Sequence, residues 1–333
     1  MRPVSWRRAV RAMYVFLFAG AALAGAAVAQ ATVRIPRIGF LSISPPASTG
    51  PSQAVAKALT ELGYVDGRTA VFEFRDASWD PARLAEMASE LVERSKVDVL
   101  VAFTNIPGFA AKRATARVPV VVWGIHGAVE TGLVPDLARP AGNVTGIESL
   151  APELDAKRIA LLKEIHPRLA RLGVAYNADD PGSPFHLASA TEAARRLGVT
   201  LVALPVRRPA DFDAALSGGQ AATIDALLVL ADRLTSLHWD RLAGFATRHR
   251  LPTACEFRFL AQAGCLVSYG PSPAEFTSRV AEQVHKIVRG ARAADLPVER
   301  TTRFELAINL KTARSLGLEV PASVRIAADV VIE

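Results

Sequence analysis

The stretch that decides the fold is residues 80–123, DPARLAEMASELVERSKVDVLVAFTNIPGFAAKRATARVPVVVW. It alternates amphipathic segments with short apolar runs. The pattern predicts helices over 81–94 and 110–116 and strands over 97–102 and 118–123. Asp80 suits the N-cap of the first helix and Pro81 its first turn. Apolar runs of strand length are expected where helices cover both faces of a sheet, so the stretch predicts a parallel sheet between helical layers.

The same alternation continues along the chain from residue 35 onward. Further strands are predicted over 37–42, 69–74, 171–176, 200–204, 226–230 and 251–254. Further helices are predicted over 53–62, 153–165, 185–197, 211–216, 239–248 and 276–288. Two series of about four strand–helix units indicate two doubly wound domains rather than one.

Three segments are candidate crossovers between the two series, namely 143–147, 265–270 and 304–309. The fold class expected is therefore α/β, with two doubly wound parallel-sheet lobes joined by crossover strands and hinged around a shared cleft. We expect residues 33–146 plus about 270–303 in the first lobe, and residues 147–269 plus about 304–333 in the second.

The first 29 residues have the pattern of a secretory signal peptide. Four arginines precede an uncharged stretch that is strongly apolar early and rich in Ala and Gly later, and Ala27-Val28-Ala29 forms an A-x-A cleavage pattern. The alternative is a transmembrane anchor, because the uncharged stretch is just long enough to span a bilayer. Its Ala- and Gly-rich second half disfavours insertion, so we expect cleavage and a periplasmic protein.

The net charge gives little support for a nucleic-acid partner. Loss of residues 1–29 removes four arginines and no acidic residue, which lowers the formal net charge from +7 to +3. The rest of the chain has no dense stripe of Lys and Arg with interleaved aromatic residues, as a nucleic-acid-binding surface would require.

The chain contains two cysteines, Cys255 and Cys265. In an oxidising compartment the two thiols can pair with each other, since no other cysteine competes for either. Two buried free thiols fit the sequence equally well, because only geometry distinguishes these states.

The sequence motifs of common enzymes on doubly wound folds are absent. There is no glycine-rich dinucleotide or phosphate loop and no G-x-S-x-G nucleophile elbow. The six histidines show no H-x-x-x-H spacing, so we expect no metal site and no cofactor. Asp179 and Asp180 precede Pro181-Gly182 and are interpreted as turn residues. We therefore expect a binding protein rather than an enzyme.

The carboxyl ends of the predicted strands carry polar and aromatic residues, and ligands of open α/β sheets bind outside these ends. The candidate ligand-binding residues are Ser42, Ser44, Thr104, Asn105, Trp123, Asn177, Asp232, Glu256 and Tyr269. Capping or core packing explains any one of them, but as a set converging from two lobes they predict a binding cleft. Aromatic rings beside a few polar groups suit a small amphipathic solute such as an amino acid.

Several stretches resemble the bacterial ABC-transporter substrate-binding family with a type I periplasmic-binding-protein fold, which includes tryptophan- and tyrosine-type binding proteins. The matching stretches are LGYVDG at 62–67, AKRAT at 111–115, GLVPDLARPAGNVTG at 132–146, KRIALLKE at 157–164, DALLVL at 225–230, VSYG at 267–270 and ADLPVERTTRFELAINLKTA at 294–313. The resemblance implies two lobes, three crossovers, a hinge-closing cleft and delivery of a solute to a membrane permease with its ATPase.

The chain departs from the pattern of this family at two places. The family usually has G-D-P-V where this chain has His126-Gly127-Ala128-Val129, which puts an amino-acid ligand in doubt if that acid binds an amine. Cys265 stands where the family usually has glycine, so a bridge to Cys255 would be a peculiarity of this chain.

Taken together, these patterns predict a monomeric periplasmic solute-binding protein of an ABC importer. The alternatives are a sensory ligand-binding module and, with less support, an enzyme such as a racemase or hydrolase on the same architecture. No helix-turn-helix pattern precedes the fold, which counts against a module of the repressor type.

Overall fold

Two sheets, each dominated by parallel strands, carry the fold in a computed structural model that describes residues 34–46 and 50–333. The strands of the first sheet are β1 (Arg37–Ser42), β2 (Val71–Asp76), β3 (Val99–Phe103), β4 (Val120–His126), β5 (Val144–Ser149) and β11 (Glu299–Arg300). Those of the second are β6 (Arg171–Asn177), β7 (Thr200–Val206), β8 (Ala226–Val229), β9 (Thr253–Cys255), β10 (Val267–Pro271), β12 (Phe304–Asn309) and β13 (Val330–Ile332). The strand orders are β11-β5-β4-β3-β1-β2 and β13-β12-β10-β9-β8-β6-β7.

Helices pack on both sheets. The first sheet is covered by α1 (Pro51–Glu61), α2 (Pro81–Glu93), α3 (Asn105–Ala114) and α10 (Pro273–Val288). With the second sheet lie α4 (Ala151–Ile165), α5 (Ser183–Arg196), α6 (Asp211–Ser217), α7 (Arg233–Leu237), α8 (Trp239–Arg248), α9 (Arg258–Gln262), α11 (Leu310–Leu316) and α12 (Ala322–Ala327). Short 3₁₀ turns occur at Ala221–Thr223 and Ala293–Asp295. We call each sheet with its helices the first and the second lobe.

The buried strands explain why helices are needed on both faces of each sheet. Along β3, Val99 and Val101 point into the core beneath α1 and α10, whereas Leu100 and Ala102 point into the core beneath α2 and α3. Successive strand residues face opposite sides of a sheet, so a strand that is apolar throughout must be covered twice.

The chain crosses between the lobes three times, after β5, after β10 and between β11 and β12. Two parallel sheets flanked by helices and joined by crossovers confirm the predicted fold class. The predicted boundary between residues 146 and 147 falls inside β5, so the residue bounds of the two lobes stay a prediction.

Local signals in the sequence placed most elements within a few residues. The side chain of Asp80 accepts hydrogen bonds from the backbone N–H of Ala82 and Arg83 at the start of α2, as predicted for an N-cap. The largest difference is α3, which begins at Asn105 and not at residue 110. Pro107 lies in its first turn, where the missing N–H has no cost, so the proline does not delay the helix.

The predicted signal peptide, residues 1–29, lies outside the described residues. Among the residues that the structure describes, no helix is both long and apolar enough to cross a bilayer.

Cys255 and Cys265 form a disulfide, with Cα atoms 6.8 Å apart and both residues buried. The bridge closes the segment that contains α9 and joins the last residue of β9 to Cys265, two residues before β10 begins. Glu256 follows Cys255 directly, so the bridge anchors the backbone that carries this acid.

We predict that the double substitution Cys255→Ala and Cys265→Ala lowers the free energy of unfolding by about 2–3 kcal/mol, the loop-closure contribution for a loop of this length. Urea denaturation with and without dithiothreitol measures this change in the free energy of unfolding. Reductant should destabilise the parent protein by a similar amount and leave the double variant unchanged. A parent midpoint that does not respond to dithiothreitol would contradict this prediction.

Candidate functional site

A cavity of about 700 Å³ lies between the two lobes, where the carboxyl ends of the parallel strands of one sheet face those of the other. Its inner wall is formed by Thr104, Trp123, His126 and Ser149 from the first lobe and by Asp232, Arg233 and Glu256 from the second. Towards solvent the cavity runs between α1 and α10, past Ala54, Ala58, Phe257, Phe259, Pro273 and Phe276. The inner end is thus polar, whereas the outer part combines these apolar side chains with Lys57, Glu61, Thr277 and Ser278.

Thr104 adopts a strained backbone conformation at the junction of β3 and α3. Its φ is 78°, in the region that favours glycine, although threonine is β-branched. The backbone N–H of Thr104 donates to the carbonyl of Trp123, and its carbonyl accepts from Gly108 N–H. Such strain costs about 1–3 kcal/mol and is characteristic of ligand-binding sites, where surrounding contacts enforce it.

Asn105 connects the two lobes through its buried side chain. Its amide nitrogen donates to the carbonyl of His126 at 2.9 Å and to Oδ1 of Asp180 at 3.2 Å, across the cleft. Its amide oxygen accepts from His126 N–H at 3.1 Å. Gly182 lies two residues after Asp180, and its N–H donates to the same Oδ1 atom at 2.7 Å.

Behind the cavity lies a buried ionic network in the second lobe. The Arg158 side chain is 0% exposed and pairs with Asp155, which is equally buried. Nε of Arg158 donates to the carbonyl of Tyr269 at 2.7 Å. The other carboxylate oxygen of Asp155 lies 2.7 Å from Nδ1 of His186. Glu256 Oε1 lies 4.0 Å from Nη2 of Arg158, so the network reaches the cavity wall.

Glu256 also connects the lobes. The hydroxyl of Ser149, at the end of β5, donates to Oε1 of Glu256 at 2.9 Å. Gly270 in β10 allows the Glu256 backbone to pass closely, since a Cβ at Gly270 would lie 2.5 Å from the Glu256 carbonyl oxygen. The position of this acid therefore depends on elements from both lobes.

A third cross-lobe hydrogen bond involves Arg233, the first residue of α7. Its Nε donates to the hydroxyl of Ser44, just beyond β1, at 2.8 Å. Asp232, the N-cap of α7, accepts from Leu234 N–H at 2.7 Å and from Nδ2 of Asn177 at 3.1 Å.

Burial shifts the protonation of the acids around the cavity. Loss of hydration, reinforced by the nearby Asp232, raises the pKa of Asp180 to about 7. Burial also raises the pKa of Asp232, and it raises that of Glu256 although Arg158 and Ser149 oppose the change.

The two histidines shift in opposite directions. Burial lowers the pKa of His126 well below its usual value, and the positive charges of His186 and Arg158 add to this effect. Burial also acts to lower the pKa of His186, but the adjacent Asp155 carboxylate outweighs it and raises that pKa. The two rings are 5.0 Å apart across the cleft.

Several buried polar atoms around the cleft have no hydrogen-bond partner among the described residues. Two of them belong to cavity-lining side chains, Nε1 of Trp123 and Oε2 of Glu256, which are 8% and 1% exposed as residues. Behind them, Oδ2 of Asp180 and Nε2 of His186 are also buried and have no hydrogen-bond partner among the described residues. Buried polar groups normally find a partner, so an incomplete set beside a cavity is the pattern of a site completed by a ligand. Each of these atoms is itself buried, so a ligand reaches Trp123 Nε1 and Glu256 Oε2 only when the side chains around them shift.

The nine candidate residues from the sequence fall into two groups. Thr104, Trp123, Asp232 and Glu256 line the cavity. The remaining five, Ser42, Ser44, Asn105, Asn177 and Tyr269, do not line it. The hydroxyl of Ser42 donates to the carbonyl of Ser44, and Nδ2 of Asn177 donates to Asp232. Tyr269 packs beside Phe304, and its carbonyl accepts from Arg158.

Sequence reasoning missed the residues whose roles depend on tertiary contacts, either with the other lobe or within the buried ionic network. These are His126, Ser149, Asp155, Arg158, Asp180, His186 and Arg233. Asp180 does form the predicted turn with Gly182, but nothing local signals its bond to Asn105. Asp155 and Arg158 are three residues apart in α4, and nothing in that spacing signals that both side chains are fully buried. Within the described part of the chain, no group of three or more His, Cys, Asp or Glu side chains is placed to hold a metal.

Comparison with known proteins gives consistent matches. The family model described as ABC transporter substrate binding protein matches residues 15–332. A tyrosine-binding protein of Clostridioides difficile is 26% identical over 263 residues, covering 79% of this chain and 75% of that protein.

Two solved structures are similar over most of the chain. An ABC domain of Streptococcus pneumoniae in complex with L-Trp has a TM-score of 0.81 and 23% identity, covering 89% of this chain and all of that one. A conserved domain protein of Vibrio cholerae has a TM-score of 0.83 and 25% identity, covering 90% of this chain and all of that one.

We predict that Asp180→Asn flattens the dependence of stability on pH. Asp180 holds a proton up to about pH 7 in the folded protein but ionises near pH 4 when unfolded. Between about pH 4 and pH 7 the folded state therefore binds more protons than the unfolded state. The stability that protonated Asp180 contributes is lost as the pH rises through this range. The free energy of unfolding of the variant, relative to the parent, should rise by about 2 kcal/mol from pH 5 to pH 8.

Urea denaturation at pH 5, 6, 7 and 8 measures this difference. Asp179→Asn, which removes an exposed carboxylate from the same turn, is the control and should keep the parent pH profile. Parallel profiles for Asp180→Asn and the parent would show that the buried acid does not titrate in this range.

Proposed function

Since this chain belongs to the family of ABC transporter substrate binding proteins, we propose that it is the solute-capturing component of a bacterial importer. In this proposal a solute binds in the cavity between the lobes, and the loaded protein delivers it to a membrane permease that is driven by its ATPase. The protein acts as a monomer in the periplasm after removal of residues 1–29, and it binds its solute without converting it.

The observation that carries the proposal is the incomplete set of buried polar atoms on the cavity wall. Trp123 offers a donor and Glu256 an oxygen, from opposite lobes, and neither atom has a partner in the described chain. Leaving such groups unpaired costs about 1–3 kcal/mol each. A solute that bonds to both would recover this energy only when the lobes are together, which couples binding to closure.

The composition of the cavity favours a small amphipathic solute such as an amino acid. Trp123 packs against Phe276 with ring centroids 5.0 Å apart, and Phe257 lines the same space. The polar inner end provides donors, acceptors and charges of both signs. The relatives that bind tyrosine and L-Trp are consistent with such a solute.

Among the described residues, three side-chain hydrogen bonds hold the lobes together across the cleft, namely Asn105–Asp180, Ser149–Glu256 and Arg233–Ser44. A conformation with these bonds is the closed one. We infer that a bound solute shifts the equilibrium towards it, because the solute contacts both walls only there.

The proposal is tested by a thermal-shift screen of the purified protein against amino acids, aromatic and aliphatic carboxylates, amides and sugars. A solute present at a hundred times its Kd should add about 2.7 kcal/mol of stability, which corresponds to a rise in Tm of several degrees. Recovery of the solute chemically unchanged after incubation is expected for a binding protein. If no solute raises Tm, or if the solute is turned over, the proposal is wrong.

We predict that Gly182→Ala weakens solute binding by about ten- to hundredfold by keeping the lobes apart. A Cβ at Gly182 would lie 2.8 Å from Cβ of His126 and 3.0 Å from the Asn105 amide nitrogen, both in the opposite lobe. Forcing an extra methyl group into a packed contact costs about 1–3 kcal/mol. The contact at 2.9 Å with Asp180 Oδ1 is present in both forms, whereas the two contacts with the opposite lobe add their cost only in the closed form.

The matched control is Gly219→Ala, since a Cβ at Gly219 meets no atom within 4 Å. Isothermal titration calorimetry measures the affinities, and small-angle scattering with and without solute measures closure. Equal affinity and equal compaction in Gly182→Ala and the parent would mean that the cleft does not close at this contact.

A further inference from the structure

We propose that Arg233, together with the backbone at the start of α1, binds an anionic carboxylate of the solute. This inference rests on the proposed function and names the chemical group that the inter-lobe site recognises. No pattern in the sequence singled out this residue, which follows the candidate Asp232 by one position.

Arg233 has the position that such a role requires. It lines the cavity and is held from behind by the bond between its Nε and the hydroxyl of Ser44. Across residues 34–46 and 50–333, this is the one hydrogen bond that its guanidinium group makes. With respect to the described residues, the two Nη atoms therefore retain their donors, in a fork that matches a carboxylate.

A second positive group lies against the guanidinium. Gly50, the N-cap residue of α1, approaches so closely that a Cβ there would be 3.3 Å from both Nη atoms. Among the described residues no side chain caps this helix, and Pro51 follows at its first position. Within that part of the chain the first backbone N–H groups of α1 have no capping partner, and the helix dipole places partial positive charge at the same end.

Two positive groups in contact are unfavourable unless an anion lies near both. Arg233 forms no ion pair with any acid of the described chain, and the neighbouring Asp232 uses its Oδ1 to accept from Leu234 and Asn177. A carboxylate from a solute would bond to the Nη atoms while it neutralises the helix terminus. Its apolar body would then extend between α1 and α10, along Ala54, Ala58 and Phe276.

The experiment is a cycle that combines one substitution with one change in the solute. The probes are L-tryptophan and 3-phenylpropanoate, each compared with its primary carboxamide, and the variants are Arg233→Gln and Arg233→Lys. In the parent, each carboxylate should bind roughly 10- to 100-fold more tightly than its amide. Arg233→Gln should remove most of this preference, and Arg233→Lys should restore part of it. The affinity of Arg233→Gln for the amides should fall only as far as it falls in Ser44→Ala, because both variants lose the cross-lobe hydrogen bond.

Ser44→Ala is the matched control, because it breaks the same cross-lobe bond but leaves the guanidinium in place. It should keep the preference for carboxylate. If Arg233→Gln weakens carboxylate and amide equally, Arg233 is a structural link between the lobes and the inference is wrong. If the thermal-shift screen finds only neutral solutes, the inference fails while the binding function stands; if it finds no solute at all, the proposed function itself fails.

Discussion

The structure depends on the pairing of the charged side chains that are buried behind the cleft in the second lobe. Arg158 is fully buried, and its charge is tolerated because Asp155 and the Tyr269 carbonyl surround it. An unpaired charge at that depth would cost several kcal/mol. The network fixes α4, α5 and β10 to one another and reaches Glu256 at the cleft, so it helps to position the second wall of the site.

The first wall is organised by backbone geometry instead of charge. The strained Thr104 turns the chain from β3 into α3, and Asn105 then reaches both His126 and the opposite lobe. Small residues complete the fit, because Gly182 leaves room for His126 at the closest approach of the lobes. Each feature lowers local stability, and each makes sense where the closed form brings two walls around a small molecule.

Much of the fold could be predicted from the sequence, because strands and helices are encoded by local patterns. The bounds of α8 and β12 were predicted to the residue, and α2 to within one residue. The short α7 and α9, five residues each, carry no measurable periodicity and were missed. The site was predictable only in part, since Asn105 and Asp180 are 75 residues apart and Ser44 and Arg233 are 189 apart.

The central claim is that a solute completes the polar groups left unpaired between the lobes. The most direct measurement is a crystal structure of the protein with the solute that raises its Tm most. In that structure, solute atoms should lie within hydrogen-bonding distance of Trp123 Nε1 and Glu256 Oε2, and Asn105 and Asp180 should still be in contact across the cleft. A solute bound elsewhere, or a cleft that stays open around the solute, would contradict the proposed site.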